Sequence, residues 1–122
     1  MNKSTLLYRQ INACHIQNGY VSSSAFRPRK ADNDKLSVYD GDKITPDQAF
    51  RHYTEDLKGS SEGVLGVTKE ECDAESLPVV EDYATHPYHV LIDFSGNSNN
   101  ACRKISERLR EAAVKRGWLF EK

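Results

Sequence analysis

The run HVLIDF, His89 to Phe94, constrains this chain more than any other stretch. Val90, Ile92 and Phe94 fall on one side of an extended backbone, the pattern of a strand with one buried face. Pro87, just upstream, bars a helix through the segment. A few residues later the period changes. From Asn97 to Arg116 the residues Cys102, Ile105, Leu109 and Ala112 recur at helical spacing, and Gly117 supplies a left-handed stop. A half-buried strand followed at once by a long amphipathic helix needs a sheet on which both can pack. The expectation is an α+β fold, a single mixed or antiparallel β-sheet packed by about three helices.

The rest of the chain breaks into short elements that suit such a sheet. Ser4 to Gln10 (STLLYRQ) reads as the opening strand, and Ile11 to Asn18 as one helical turn closed by Gly19. Tyr20 to Phe26 reads as a second, edge-like strand, stopped by Pro28, which cannot donate to a ladder. Arg29 to Asp34 is an exposed loop, Lys35 to Tyr39 alternates as a half-buried strand, and Asp40-Gly41 marks a turn. Thr45, Pro46 and Gln48 announce a helix by capping box and first-turn proline, with Ala49, Phe50, Tyr53 and Leu57 at helical spacing before Gly59. Gly63 to Val67 reads as a buried strand, and Thr68-Lys69-Glu70-Glu71 repeats the capping logic for a short helix that Pro78 must end. Leu77 to Pro87 is a loop or irregular edge, and Trp118 to Phe120 dock as a final anchor. No repeat or linker divides the chain, so residues 1–122 are expected to form one domain.

Composition narrows the setting. Hydrophobic residues are 38% and charged residues 29%, which is neither a disordered nor a membrane composition. No apolar run approaches the ~20 residues of a spanning helix. The N-terminus lacks the long apolar centre of a secretory signal, so the cytoplasm is expected. Cys14, Cys72 and Cys102 are odd in number, widely spaced and free of any C-x-x-C pair, as for thiols in a reducing compartment. Cys102, beside Arg103 and Lys104 at a helix start, is the one candidate for a reactive thiol.

The net charge of −1 hides an uneven layout. Residues 1 to 31 carry five bases and no acid, residues 32 to 100 five bases against fifteen acids, and residues 101 to 122 seven bases against three acids. Such a chain can bring its basic ends together, or lay each against the acidic middle. The last helix carries Arg103, Lys104, Arg108, Arg110, Lys115 and Arg116, a conceivable phosphate-binding face. Its glutamates, however, form ordinary pairs at helical spacing, as Lys104 does with Glu107, and nucleic acid remains a minor alternative.

Candidate chemistry is sparse. No phosphate-binding loop, dinucleotide fingerprint, zinc-protease motif or nucleophile elbow is present. His86 and His89, with His15 or His52 brought from afar, could in principle ligate a metal. Pro87 bars the helix that would bring 86 and 89 together, and a strand would set them on opposite faces, so neither metal nor cofactor is expected. Asp93 shares a strand face with His89 and could orient that imidazole as a general base, although no nucleophile is marked for it to activate. Arg9, the serines at 22 to 24 and a later carboxylate resemble, at loose spacing, small enzymes that hold NAD through an arginine and a serine.

The segments LLYRQIN, QNG, SSAFRP, KLSVYDGD, GVTKEEC, LPV and HPYHVLIDF resemble a group of small bacterial proteins encoded by accessory genes, including mobile gene cassettes. The likeness spans roughly residues 6 to 95. It implies an accessory bacterial role and carries no catalytic residue across. The residue chemistry alone leads to a binding domain. Its expected face is the basic loop of Arg27, Arg29 and Lys30 with the turn residues Tyr39, Asp40 and Asp42. A protein partner, including a second copy, is the first expectation and a small ligand the next. No membrane is involved in that reading, and exposed Tyr20, Tyr39 or Trp118 would serve as anchors.

Overall fold

Six strands form one curled antiparallel sheet in the computed structural model, which describes residues 1–122. In chain order the strands are β1 (Leu6–Ile11), β2 (Ile16–Gln17), β3 (Tyr20–Val21), β4 (Lys35–Asp40), β5 (Gly63–Thr68), β6 (Val79–Glu81), β7 (His89–Asp93) and β8 (Phe120–Glu121). The sheet runs β6-β7-β4-β1-β5-β8, and β2 with β3 make a separate two-stranded ribbon. Three α-helices accompany it: α1 (Pro46–Arg51), α2 (Lys69–Ala74) and α3 (Asn99–Arg116). The α+β reading of the sequence holds, and the sheet is antiparallel throughout. No helix is long and apolar enough to cross a membrane.

The helix starts follow the caps. Thr68 accepts from the Glu71 N–H at 3.1 Å while Glu71 accepts from the Thr68 N–H at 2.8 Å, a reciprocal box that satisfies two otherwise orphaned donors. The Thr45 N–H donates to Gln48 at 3.2 Å at the start of α1, and Ser98 accepts from the Ala101 N–H at the start of α3. Beyond Arg51, α1 widens into a π-helical turn over His52–Asp56, a rare geometry that often marks functional sites.

Three elements depart from the sequence reading. The helical turn expected over Ile11 to Asn18 is confined to Ala13–His15, with Ile11 closing β1 and Ile16–Gln17 forming β2. The second strand stops after Val21, because Ser22 turns its side chain onto the Ser24 N–H and the chain coils into a 3-10 turn over Ser23–Phe26. Short hydroxyl side chains compete in this way with ladder bonds. In α3 the inward stripe ends on Ala113, which is fully buried, and Ala112 lies beside it, only partly covered.

The sheet has a different layer on each face. One face lays Leu7, Ile11, Leu36, Val38, Leu65, Val67, Val90 and Ile92 against Cys102, Ile105, Leu109 and Ala113 of α3, with Phe26 and Phe94 also fully buried there. The other packs Tyr8, Tyr39 and Val64 against Ala49 of α1, with Phe50, Tyr53, Tyr88 and Phe120 around them. Gln10 ties the second layer down, donating to the Ala49 carbonyl at 3.2 Å and accepting from the Ser61 hydroxyl at 2.7 Å.

The acidic middle does meet the basic end. Arg108 pairs with Glu75 at 2.7 Å and Arg116 with Glu71 at 2.9 Å, which fastens α3 to the region of α2. Arg110 donates to the Val21 carbonyl, and Arg116 also reaches the Gly66 carbonyl, both at 2.7 Å. Three of the six α3 cations counted above are therefore committed within the chain, to partners outside the helix.

Candidate functional site

The sheet forks. β1 pairs with β4 only through Leu7 with Asp40 and Tyr8 with Tyr39. Past that point β1 continues along β5 as far as Ile11 opposite Gly63, while β4 keeps to β7 from Tyr39 opposite His89 back to Lys35 opposite Asp93. Where the strands part, Arg9 reaches from β1 to the Ser37 carbonyl of β4 and to the turn Ser23–Phe26. Its Nε donates to the Ala25 carbonyl at 2.7 Å and its Nη1 to the Ser37 carbonyl at 3.1 Å. Burial of this guanidinium pulls its pKa below the ordinary arginine value, and nearby Arg29 adds to the pull.

A cleft of about 880 Å³ opens over the fork. Arg9, Arg27, Arg29 and Lys35 contribute four cations to its lining against the single carboxylate of Asp32. Arg29 and Asp32 are paired at 2.9 Å on the rim. The rings of Tyr8, Tyr39, Tyr53 and His86 supply flat apolar surface. Asn12 also lines the cleft, and its side-chain oxygen is buried without a hydrogen-bond partner, an exception that calls for a reason in a folded protein.

One wall is a cluster of imidazoles and phenols. His86 lies 4.9 Å from His52, 5.0 Å from His89 and 5.1 Å from Tyr39, measured between ring centres. The Tyr39 hydroxyl and His52 Nδ1 are 2.7 Å apart, and burial pushes the Tyr39 pKa up. His86 is driven down to about 4, first by burial and then by the neighbouring His89 and His52. The π turn of α1 places His52 and Tyr53 here, and Leu57 follows on the rim.

The expectation that His86 and His89 are held apart does not hold, although His89 does enter a strand with its ring hydrogen-bonded. His86 and His89 come together because the turn between them curls back: the His89 N–H donates to the His86 carbonyl, and the Tyr88 N–H to His86 Nδ1 at 3.2 Å. Pairing of His89 with Asp93 is also corrected. The two residues occupy opposite ends of β7, four positions apart, or ~13 Å along an extended chain. Asp93 is occupied with the Ser95 N–H at 2.9 Å, which lowers its pKa.

The carboxylate that meets His89 is Asp82, at the end of the edge strand β6. His89 Nδ1 lies 2.9 Å from Asp82 Oδ2, and His89 Nε2 lies 3.1 Å from the Ser37 hydroxyl. Asp82 is in turn fixed by the Thr85 hydroxyl at 2.7 Å, and the bonds from Thr85 and His89 lower its pKa. Neither Asp82 nor Ser37 stood out in the sequence. Their contact with His89 is set by strand register, with Ser37 and Tyr39 on one face of β4 and β7 alongside.

The expected binding face is only partly assembled. Arg27, Arg29 and Tyr39 line the cleft, whereas Lys30 pairs with Asp34 at 3.6 Å and faces a smaller hollow beside α3. Tyr39 and Asp40 are 4% and 2% exposed, so neither is displayed on a turn as the sequence reading had it. Asp40 is an internal acceptor, for the Tyr83 hydroxyl at 2.6 Å and the Asp42 N–H at 2.9 Å. Asp42 accepts from the Thr5 hydroxyl at 2.7 Å. Tyr20 is 70% exposed and remains a surface residue.

Cys102 is likewise corrected as a reactive candidate. It is buried among Phe94 and Asn97 carbonyls, and burial raises its pKa despite Lys30 and Arg27 nearby. Burial pushes the Cys72 thiol up to about 12. Cys14 is the exposed cysteine, on the cleft rim. Compared with known proteins, the chain matches no family model, no curated protein and no solved structure.

Proposed function

We propose that this domain binds a small, planar organic anion, of the nucleotide kind, in the fork between β1 and β4. The observation that carries this reading is the lining of the cleft, with four cations against one carboxylate beside the half-buried rings of Tyr53 and His86. Guanidinium groups match phosphate and carboxylate oxygens in paired hydrogen bonds, and ring faces take a flat group by stacking. The volume lies within the ~300–1,000 Å³ range of small-molecule sites. An accessory bacterial role is the context that the resemblance adds to this proposal.

Titration calorimetry with a panel of nucleoside mono- and diphosphates and a dinucleotide tests the reading. At least one should bind, more weakly as salt rises. Arg27→Glu with Arg29→Glu should reduce that affinity about 10-fold or more, which is ~1.4 kcal/mol, with an unchanged melting temperature. Absence of binding across the panel, or equal binding by the double variant, would overturn the proposal.

A further inference from the structure

Ser37, His89 and Asp82 are linked in the order that activates a serine. The Ser37 hydroxyl sits 3.1 Å from His89 Nε2, and His89 Nδ1 sits 2.9 Å from Asp82. Both distances fall within the ~2.6–3.2 Å reach of an acid–base relay. With Asp82 ionised, the proton of the ring belongs on Nδ1, which leaves Nε2 as the acceptor facing Ser37. Three separate elements deliver these groups, β4, β7 and the end of β6 with the turn behind it. Thr85 holds Asp82 in place at 2.7 Å. Ser37 is exposed, and Ser37 and His89 both line the cleft. A serine placed there only for folding needs neither exposure nor an imidazole partner.

We propose that Ser37 is the nucleophile of an ester-cleaving site, with His89 as its general base and Asp82 as the positioning residue. The substrate would be a carboxylic ester of a negatively charged small molecule, and this part of the proposal rests on the anion reading of the same cleft. In the first step the Ser37 oxygen bonds to the ester carbonyl carbon, and its proton passes to His89 Nε2. The carbon–oxygen bond to the alcohol then breaks, and His89 returns that proton to the departing alkoxide. In the second step water attacks the acyl-serine, His89 takes a water proton, and the Ser37–carbon bond breaks as the proton returns to Ser37. The products are a carboxylic acid and an alcohol, with water the only co-reactant. Arg9, bonded to the Ser37 carbonyl at 3.1 Å, adds a fixed positive charge to the same cleft.

The test is a fluorophosphonate reagent, read by intact mass and peptide mapping. Attack by Ser37 forms an oxygen–phosphorus bond and expels fluoride, so labelling reports the nucleophile without requiring a substrate. A single adduct on Ser37 is expected. Ser37→Ala should abolish it, and His89→Gln should slow it by about 100-fold or more. Asp82→Asn should slow labelling similarly while leaving nucleotide affinity unchanged, and Asp82→Glu should restore part of the rate. A merely structural Asp82 would not give that split. No adduct, an adduct on another residue, or labelling indifferent to His89→Gln would each overturn the proposal. Hydrolysis of 4-nitrophenyl hemisuccinate against neutral 4-nitrophenyl acetate then separates the two readings. Preference for the anionic ester by about 10-fold, lost in Arg27→Glu with Arg29→Glu, supports both. Labelling of Ser37 with equal use of the two esters leaves the nucleophile standing and removes the anion.

Discussion

On the α3 face of the sheet, aliphatic side chains from β1, β4, β5 and β7 meet a helix stripe of matching character, and the core residues are 8% exposed or less. On the α1 face the equivalent positions hold Ser37, Tyr39 and His89, and the nearest helical turn brings His52 and Tyr53. The first face gains from removing apolar area from water and is indifferent to charge. The second keeps polar atoms in a half-buried setting, where each needs a partner and where protonation of the His86 ring is penalised. A single sheet thus separates holding the fold together from holding polar and ring side chains in register. The fork joins the two, since Arg9 lies between Leu7 and Ile11 in β1 and reaches across to the Ser37 carbonyl.

The sharpest way to break this contrast is to delete one large side chain from each region. Phe26 is fully buried against α3, and Phe26→Ala should cost ~3–5 kcal/mol through lost transfer energy and a residual cavity. Leu57, on the cleft rim, is 48% exposed, and Leu57→Ala should stay within about 0.5 kcal/mol. Urea unfolding at neutral pH measures both. Equal losses would mean that the cleft side carries as much of the stability as the core, and the division drawn above would be wrong.

A smaller effect should follow from removing the link between the regions. Arg9→Met keeps an apolar stem of similar length and leaves the Ala25 and Ser37 carbonyls without their donor. Losing one part-buried and one exposed hydrogen bond should cost about 0.5–1.5 kcal/mol, read by the same unfolding experiment. The loss of nucleotide affinity should be larger than the loss of stability, because a cation at the root of the cleft disappears with it. A variant that is destabilised yet binds normally would make Arg9 a brace for the fork alone.

The α3 face was legible in the sequence and much of the α1 face was not, for a physical reason. Val90, Ile92 and Phe94 announce burial through period, and Thr45 with Gln48 or Thr68 with Glu71 announce helix starts through local bonds. Both signals lie within a few residues of chain. Ser37 and His89 are 52 positions apart, and only the antiparallel register of β4 on β7 brings them together. Asp82 lay in a segment with no periodicity, so its role as the partner of His89 left no trace, and Asp93 was the nearest visible carboxylate. The fork is likewise invisible to pattern. Two strands with good alternation give no sign that they pair at two positions and then part. The basic loop was legible as charge, and Arg27 and Arg29 do reach the cleft, but Tyr39 and Asp40 beside the turn were hidden by the packing of α1 and Tyr83.

The smallest expected effect concerns acid, and it sharpens the contrast by singling out one ring. In the folded chain His86 holds its proton only below about 4, against an ordinary 6.5, because burial and the rings of His89 and His52 disfavour a charge there, partly offset by Asp82. The unfolded chain therefore binds a proton at His86 that the folded chain refuses throughout this interval. Stability is unaffected by this group above 6.5, falls as pH drops through the interval, and levels off below about 4. His15, lowered by burial and then by Arg9, adds to the same slope. Unfolding midpoints measured from about pH 7 down to about pH 5 should decline, and His86→Gln, whose amide oxygen can still accept from the Tyr88 N–H, should flatten the decline. The Phe26→Ala variant should retain the full slope, since no titrating ring sits in the core it opens. An unaltered slope in His86→Gln would place the acid sensitivity outside the imidazole cluster and reduce the α1 face to ordinary packing.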